Sequence, residues 1–131
     1  MPTTTTRIVI SSTDLLSSTL SVDATATLTQ AGTSTAIANS TGLAVKTLAS
    51  GHAEYKLFEA DDYVDDKAGK LYLKSPSTTA AEYFLIKFGT TQIGRLYAGD
   101  TAIIPWDGTQ DINIDPSAAS MALEYLLFHE G

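Results

Sequence analysis

The sequence contains no cysteine. That removes disulfide bridges, thiolate nucleophiles and cysteine-ligated zinc together, and it is compatible with folding in a reducing cytoplasm. Basic residues are few: 8 Lys and Arg against 15 Asp and Glu give a formal net charge of −7. Such a balance repels a polyphosphate backbone, and no Lys/Arg run is present to neutralise several phosphates, so direct nucleic-acid binding is not expected. No apolar stretch approaches the roughly 20 residues that span a bilayer. Thr3 to Thr6 stand where a secretory signal would need its hydrophobic segment, so the chain is expected to be soluble, with no membrane partner. Charged residues make up only 18% of the chain, below the usual quarter, and Ser and Thr take their place.

What the sequence has in quantity is alternation with a period of two residues, the spacing that sends successive side chains to opposite faces of a strand. Arg7-Ile8-Val9-Ile10 is a short β-branched run after a threonine tract, and the segment from Leu20 to Thr29 places Leu20, Val22, Ala24, Ala26 and Leu28 on one face. Leu16, Leu20, Ala24 and Leu28 are also spaced by four, which permits a helix. Threonine at alternate positions favours the strand, because β-branched side chains lose rotamer freedom in a helix. Asp14 is placed to cap a short helical turn. Gln30-Ala31-Gly32-Thr33 reads as a turn, and Leu43 to Leu48 and Tyr55 to Phe58 read as strands. The acidic stretch Asp61 to Asp66 reads as a solvated loop or one turn of helix. Further strands are expected at Lys70–Lys74, Glu82–Phe88, Ile93–Tyr97, Thr101–Trp106, Asp111–Asp115 and Ala122–Phe128.

That makes about eight to ten strands at intervals of roughly 8–12 residues, the pattern of a sandwich or barrel. No segment offers the long helices that a parallel sheet needs. The expected fold class is therefore all-β: an antiparallel β-sandwich, jelly-roll-like, with at most one or two short helical turns. Residues 1–7 are expected as an extended polar N-terminal arm and residues 8–131 as a single sandwich domain, a length that suits one core. Val9, Val22, Leu71, Leu73, Phe84, Ile86, Leu96, Ile103, Leu123 and Tyr125 are the expected core.

Residues able to carry chemistry are isolated. His52 and His129 stand in no metal-ligand spacing. Asp61, Asp62, Asp65 and Asp66 lack the order of a calcium loop and its distal glutamate. Serines abound without a nucleophile-elbow motif. The expectation is a protein without catalytic residues, metal or cofactor. Trp106, beside Pro105 and Asp107-Gly108, belongs at a sheet rim, either plugging the end of the core or anchoring an interface, and the same choice applies to Tyr97 and Tyr63. The arm Met1 to Thr6 has no apolar face of its own and is expected to order by pairing with a neighbouring chain. Thr3, Thr4, Thr5, Thr6, Ile8, Tyr97 and Trp106 are thus the expected partner interface.

The second half carries a resemblance. Lys70-Leu71-Tyr72-Leu73-Lys74-Ser75-Pro76, Ile93-Gly94-Arg95-Leu96-Tyr97-Ala98-Gly99-Asp100, Ile103-Ile104-Pro105-Trp106 and Leu123-Glu124-Tyr125-Leu126-Leu127-Phe128 together resemble the C-terminal part of small virion structural proteins of tailed bacteriophages, over roughly half the chain. The likeness is in the style of strand and turn and transfers no binding residue. It implies a non-enzymatic virion protein made in the bacterial cytoplasm. The first choice is a capsid decoration or cement protein that forms a homo-oligomer and stabilises the major capsid protein lattice. The alternative is a tail, neck or baseplate accessory, including a carbohydrate-binding adhesion module in which Trp106 with Tyr97 or Tyr63 offers a stacking face.

Overall fold

The structure, a computed structural model, describes residues 3–130. Among them it is antiparallel β throughout, as the alternation predicts, with one three-residue 3-10 turn at Ala60–Asp62. The chain divides into two compact units, one running to Ala38 and the other starting at Asn39.

The first unit is a β-ribbon. β1 (Thr5–Ser12) pairs antiparallel with β2 (Leu20–Thr27), residue for residue from Thr5 opposite Thr27 to Ser12 opposite Leu20. Threonine, isoleucine and valine fit an extended backbone, which is why both segments take it. The Thr4 carbonyl accepts from the Leu28 amide, and Gln30 to Thr35 close a turn beside it. At the tip, the Ser12 hydroxyl accepts from the Asp14 and Leu15 amides, so this corner is held by a serine turn and not by a helix capped at Asp14.

The second unit is a sandwich. A two-residue strand, β3 (Asn39–Ser40), precedes β4 (Ala44–Leu48), β5 (Tyr55–Phe58), β6 (Gly69–Lys74), β7 (Tyr83–Phe88), β8 (Thr91–Tyr97), β9 (Thr101–Trp106), β10 (Ile112–Pro116) and β11 (Met121–His129). β7 pairs with β8, β6 with β9, β5 with β10 and β4 with β11. These are nested pairs of one long folded ribbon whose members alternate between two sheets. The sheets have the orders β5-β10-β7-β8 and β4-β11-β6-β9, and β3 extends the β4 edge along β11. That winding is a jelly roll. Phe84, Ile86, Leu96, Ile112 and Ile114 from the first sheet meet Leu48, Leu71, Leu73, Trp106, Met121, Leu123 and Leu127 from the second in one buried core.

Several expectations are corrected. The boundary placed at residue 7 falls inside β1, and the division lies at Ala38/Asn39. Thr5 to Arg7 pair with this chain's own β2, whose free backbone groups are the nearest available partners; Met1 and Pro2 lie outside the described residues. Val9 and Val22 are exposed, one on each face of the two-stranded ribbon, and Ile103 is exposed because Ala102 and Ile104 take the inward positions of β9. Tyr125 is only partly buried at the core margin, whereas Leu71, Leu73, Phe84, Ile86, Leu96 and Leu123 are buried as expected.

Candidate interaction surfaces

A sandwich strand has an inward face and an outward face, and the outward faces of the two sheets differ in chemistry. On β5-β10-β7-β8 the outward side chains include Lys56, Asn113, Asp115 and Lys87. Lys87 bridges to Asp115 at 3.2 Å and to Glu54 at 3.9 Å, and Lys56 bridges to Glu59 and Asp111. At the β8 side, Arg95 lies 4.4 Å over the Tyr83 ring, which packs against Tyr97. Asn113 is buried and donates to the Gly89 carbonyl at 2.9 Å, Asp115 Oδ1 is buried without a partner among the described residues, and Ile93 and Tyr97 of β8 are exposed, so this sheet is ion-paired over β5, β10 and β7 and partly apolar at β8.

The outward face of β4-β11-β6-β9 is different. Leu126 stands opposite Tyr72, and Tyr72 opposite Ile103, so three strands contribute one apolar row across the sheet. Val45 of β4, itself 63% exposed, stands opposite Glu124 on one side of that row, and Phe128 flanks it on the other. Lys70 and Lys74 border the row on β6, and neither has a carboxylate at ion-pair distance among the described residues. The one polar group within it is satisfied: the Tyr72 hydroxyl donates to Glu124 at 2.9 Å. Partial burial, together with the Glu124 carboxylate, raises the Tyr72 pKa, so the phenol stays protonated and keeps donating to that carboxylate.

The ribbon offers a second apolar surface. Thr6, Ile8, Ile10 and Ser12 of β1 share a face with Leu20, Val22, Ala24 and Ala26 of β2, and Ile8 and Ile10 are 48% and 49% exposed. The opposite face carries the ion pair of Arg7 with Asp23, two nitrogen-to-oxygen contacts at 2.9 and 2.7 Å. That pair lowers the Asp23 pKa and raises that of Arg7.

The expected interface residues fall in both units. Thr5, Thr6 and Ile8 lie in the ribbon, with Thr3 and Thr4 just before it, whereas Tyr97 is on the β8 edge of the sandwich. Trp106 is 5% exposed, and its indole N–H donates to the Gln110 carbonyl at 2.8 Å. Of the two roles open to Trp106, it takes that of a core plug. Tyr63 meets the Trp106 ring edge-on at 5.3 Å and His129 at 5.0 Å, and its burial raises its pKa. These rings are committed to one another, so the sugar-stacking face expected of Trp106 with Tyr63 or Tyr97 is not assembled. Lys67, Lys70, Phe88, Trp106 and Gln110 line a shallow groove of about 430 Å³ at this end. Among the described residues no three His, Asp or Glu side chains converge as metal ligands; Asp61 and Asp62 lie in the 3-10 turn and Asp65 and Asp66 in the loop after it. Sequence reasoning missed the Leu126–Tyr72–Ile103 row, because only the register aligns those three positions.

Carboxylates tie loops down around the sandwich. Asp111 accepts from the Ala60 amide at 2.8 Å and pairs with Lys56, and these contacts hold its pKa below the ordinary value. Asp107 is lowered by the hydroxyl and amide of Thr109. A carboxylate with a depressed folded-state pKa adds stability that is present above its unfolded value, about 3.9, and lost as pH falls through the folded value. The melting temperature should therefore be flat near neutrality and fall below pH about 4. Asp111→Ala should lower it by on the order of a few degrees at pH 7 and make the acid fall shallower. Thermal melts of both proteins from pH 7 to 2 check this, and parallel curves would show that Asp111 contributes nothing.

Compared with family models, with curated proteins and with solved structures, the chain matches none.

Proposed function

We propose that this chain is a non-enzymatic structural accessory of a virion, a capsid decoration or cement protein that binds neighbouring subunits through the outward face of β4-β11-β6-β9. The observation that carries the reading is the row Leu126–Tyr72–Ile103 on one outer face of the sandwich, half-buried at Leu126 and Tyr72 and 39% exposed at Ile103, with Val45 beside it, where the other sheet carries ion pairs over β5, β10 and β7. Covering such a row gains free energy roughly in proportion to the apolar area removed from water. The lysines beside the row favour a partner surface that is apolar with acidic margins. The bacteriophage-like second half supplies the class of partner, the major capsid protein. The jelly roll is compatible, since capsid domains use it, although lectins do too and the fold decides nothing alone.

Purified protein should bind saturably to capsid shells assembled without it. Ile103→Glu puts a charge into the row at an exposed position, so it should leave the melting temperature within a few degrees of wild type and weaken binding by about tenfold or more. Failure of the wild-type protein to bind shells, or equal binding by the variant, would sink the reading.

A further inference from the structure

We infer that the groove where β6 begins and β9 ends is a binding site for a small organic anion, a carboxylate carried on an aromatic or other cyclic apolar group. This goes beyond the shell-binding reading and does not depend on it.

The walls of the groove are fixed by the chain itself. Gly69 opens β6 opposite Trp106, the last residue of β9. A Cβ at Gly69 would stand 2.8 Å from the Trp106 carbonyl oxygen, so glycine lets the two strands lie this close. The Lys67 amide donates to the Asp107 carbonyl at 3.3 Å. The loop after β9 is tied twice: the Trp106 indole holds the Gln110 carbonyl, and Asp107 Oδ1 accepts from the Thr109 amide at 3.0 Å and the Thr109 hydroxyl at 2.6 Å. On the opposite wall the Gly89 amide donates to the Asp111 carbonyl at 2.8 Å, and the Gly89 carbonyl accepts from Asn113, which fixes the chain just after Phe88. Ordering these walls therefore costs a ligand little.

Rings and charges define what fits. Phe88, Pro105 and the exposed margin of Trp106 line the groove and take a flat apolar group. Lys67 and Lys70 line it too, and neither meets a carboxylate at ion-pair distance among the described residues. The acid among the lining side chains is Asp107, whose Oδ1 is taken by Thr109. Two lysines and one aspartate give the lining a formal charge of +1 in a chain of net charge −7. One surplus positive charge suits a monoanion, whereas a polyanion is repelled by the rest of the surface. A volume of about 430 Å³ lies in the range of small-molecule sites and holds one ring with a short acidic arm.

Hydrocinnamate is the probe, read by the fluorescence of Trp106, the single tryptophan. About eleven non-hydrogen atoms at the efficiency of ordinary ligands give a dissociation constant on the order of a few millimolar. Titration of the full chain at constant ionic strength should saturate in that range, with the amide NMR signals of Gly69, Thr109 and Gln110 moving in step. Hydrocinnamide keeps the ring and loses the charge, and it should bind about fivefold more weakly. The double variant Lys67→Met, Lys70→Met should lose about as much affinity for hydrocinnamate while keeping the parent's melting temperature. Acetate, the charge without the ring, should give no saturable change below about 50 mM. No saturable response to hydrocinnamate up to about 50 mM, or signals moving all over the chain instead of around the groove, would overturn the inference. So would equal affinity for the amide or acetate, or undiminished binding by the folded double variant. Shell binding is read at Ile103 and does not enter these titrations, so the two readings fail separately.

Discussion

Phe84→Ala should lower the stability of the sandwich by about 3–5 kcal/mol, the largest loss expected from any single truncation of the chain. Phe84 is fully buried on β7, beside Leu96 on one neighbouring strand and Pro116 on the other. It belongs to the layer where the two sheets meet, with Leu71, Leu73, Ile112 and Leu123. Removing the ring leaves a cavity that strands pinned by pairing on both sides cannot close. Domains of this size carry about 5–15 kcal/mol in total, so the variant should melt roughly 15 °C or more below the parent. Ile103→Ala, on the outward side of β9, should cost less than about 1 kcal/mol by the same assay. Urea unfolding followed by the single tryptophan measures both. Equal costs would mean that Phe84 does not sit in a closed layer.

Gly108→Ala should be nearly as damaging for a different reason. Gly108 has φ +82°, a conformation that costs an L-residue about 1–2 kcal/mol, and a Cβ there would stand 2.6 Å from the Val64 carbonyl oxygen. That oxygen belongs to backbone and cannot swing aside alone, so the segment holding Tyr63 must move as well. A combined loss of about 3 kcal/mol is expected. Gly99 is the internal control: its φ is +83°, and a Cβ added there would meet nothing within 4 Å, so Gly99→Ala should cost only the conformational part, about 1–2 kcal/mol. Tyr63 packs on Trp106, and the near-ultraviolet circular dichroism of Gly108→Ala should change while that of Gly99→Ala does not. If the two substitutions cost the same, the Val64 segment gives way freely and the steric argument fails.

The second half of the sequence declares its fold because its strands have one buried face. Lys70 to Lys74 alternates in and out with Leu71 and Leu73 inward, and alternation is visible without coordinates. β2 alternates just as cleanly, yet Val22 is exposed, and in the run Ile8-Val9-Ile10 of β1 Val9 falls on the face of Arg7 and Asp23. Period-two patterning reports that a strand has two unlike faces and is silent about whether anything covers the apolar one. For Ile103 the difficulty is parity: in a run of consecutive apolar residues such as Ala102-Ile103-Ile104, one step in register exchanges inside for outside. Trp106 stands between two roles in the sequence for a related reason, because its fate depends on Tyr63, some forty residues earlier, reaching across to meet it. The candidate contact surfaces follow from pairing register and from which sheets find a partner layer, and neither quantity is local in sequence.

The borders of the sandwich bear on how large an assembly can become. β9 carries Pro105, β5 is four residues long with a register break beside it, β8 is bulged near Ile93, and the remaining margin is interrupted between β3 and β4. Each device spoils a margin as a template for an incoming strand. Growth of the sandwich sheets by indefinite stacking of backbones is thereby discouraged, which leaves the two eight-residue edges of the β1–β2 ribbon as the unblunted strand margins among the described residues.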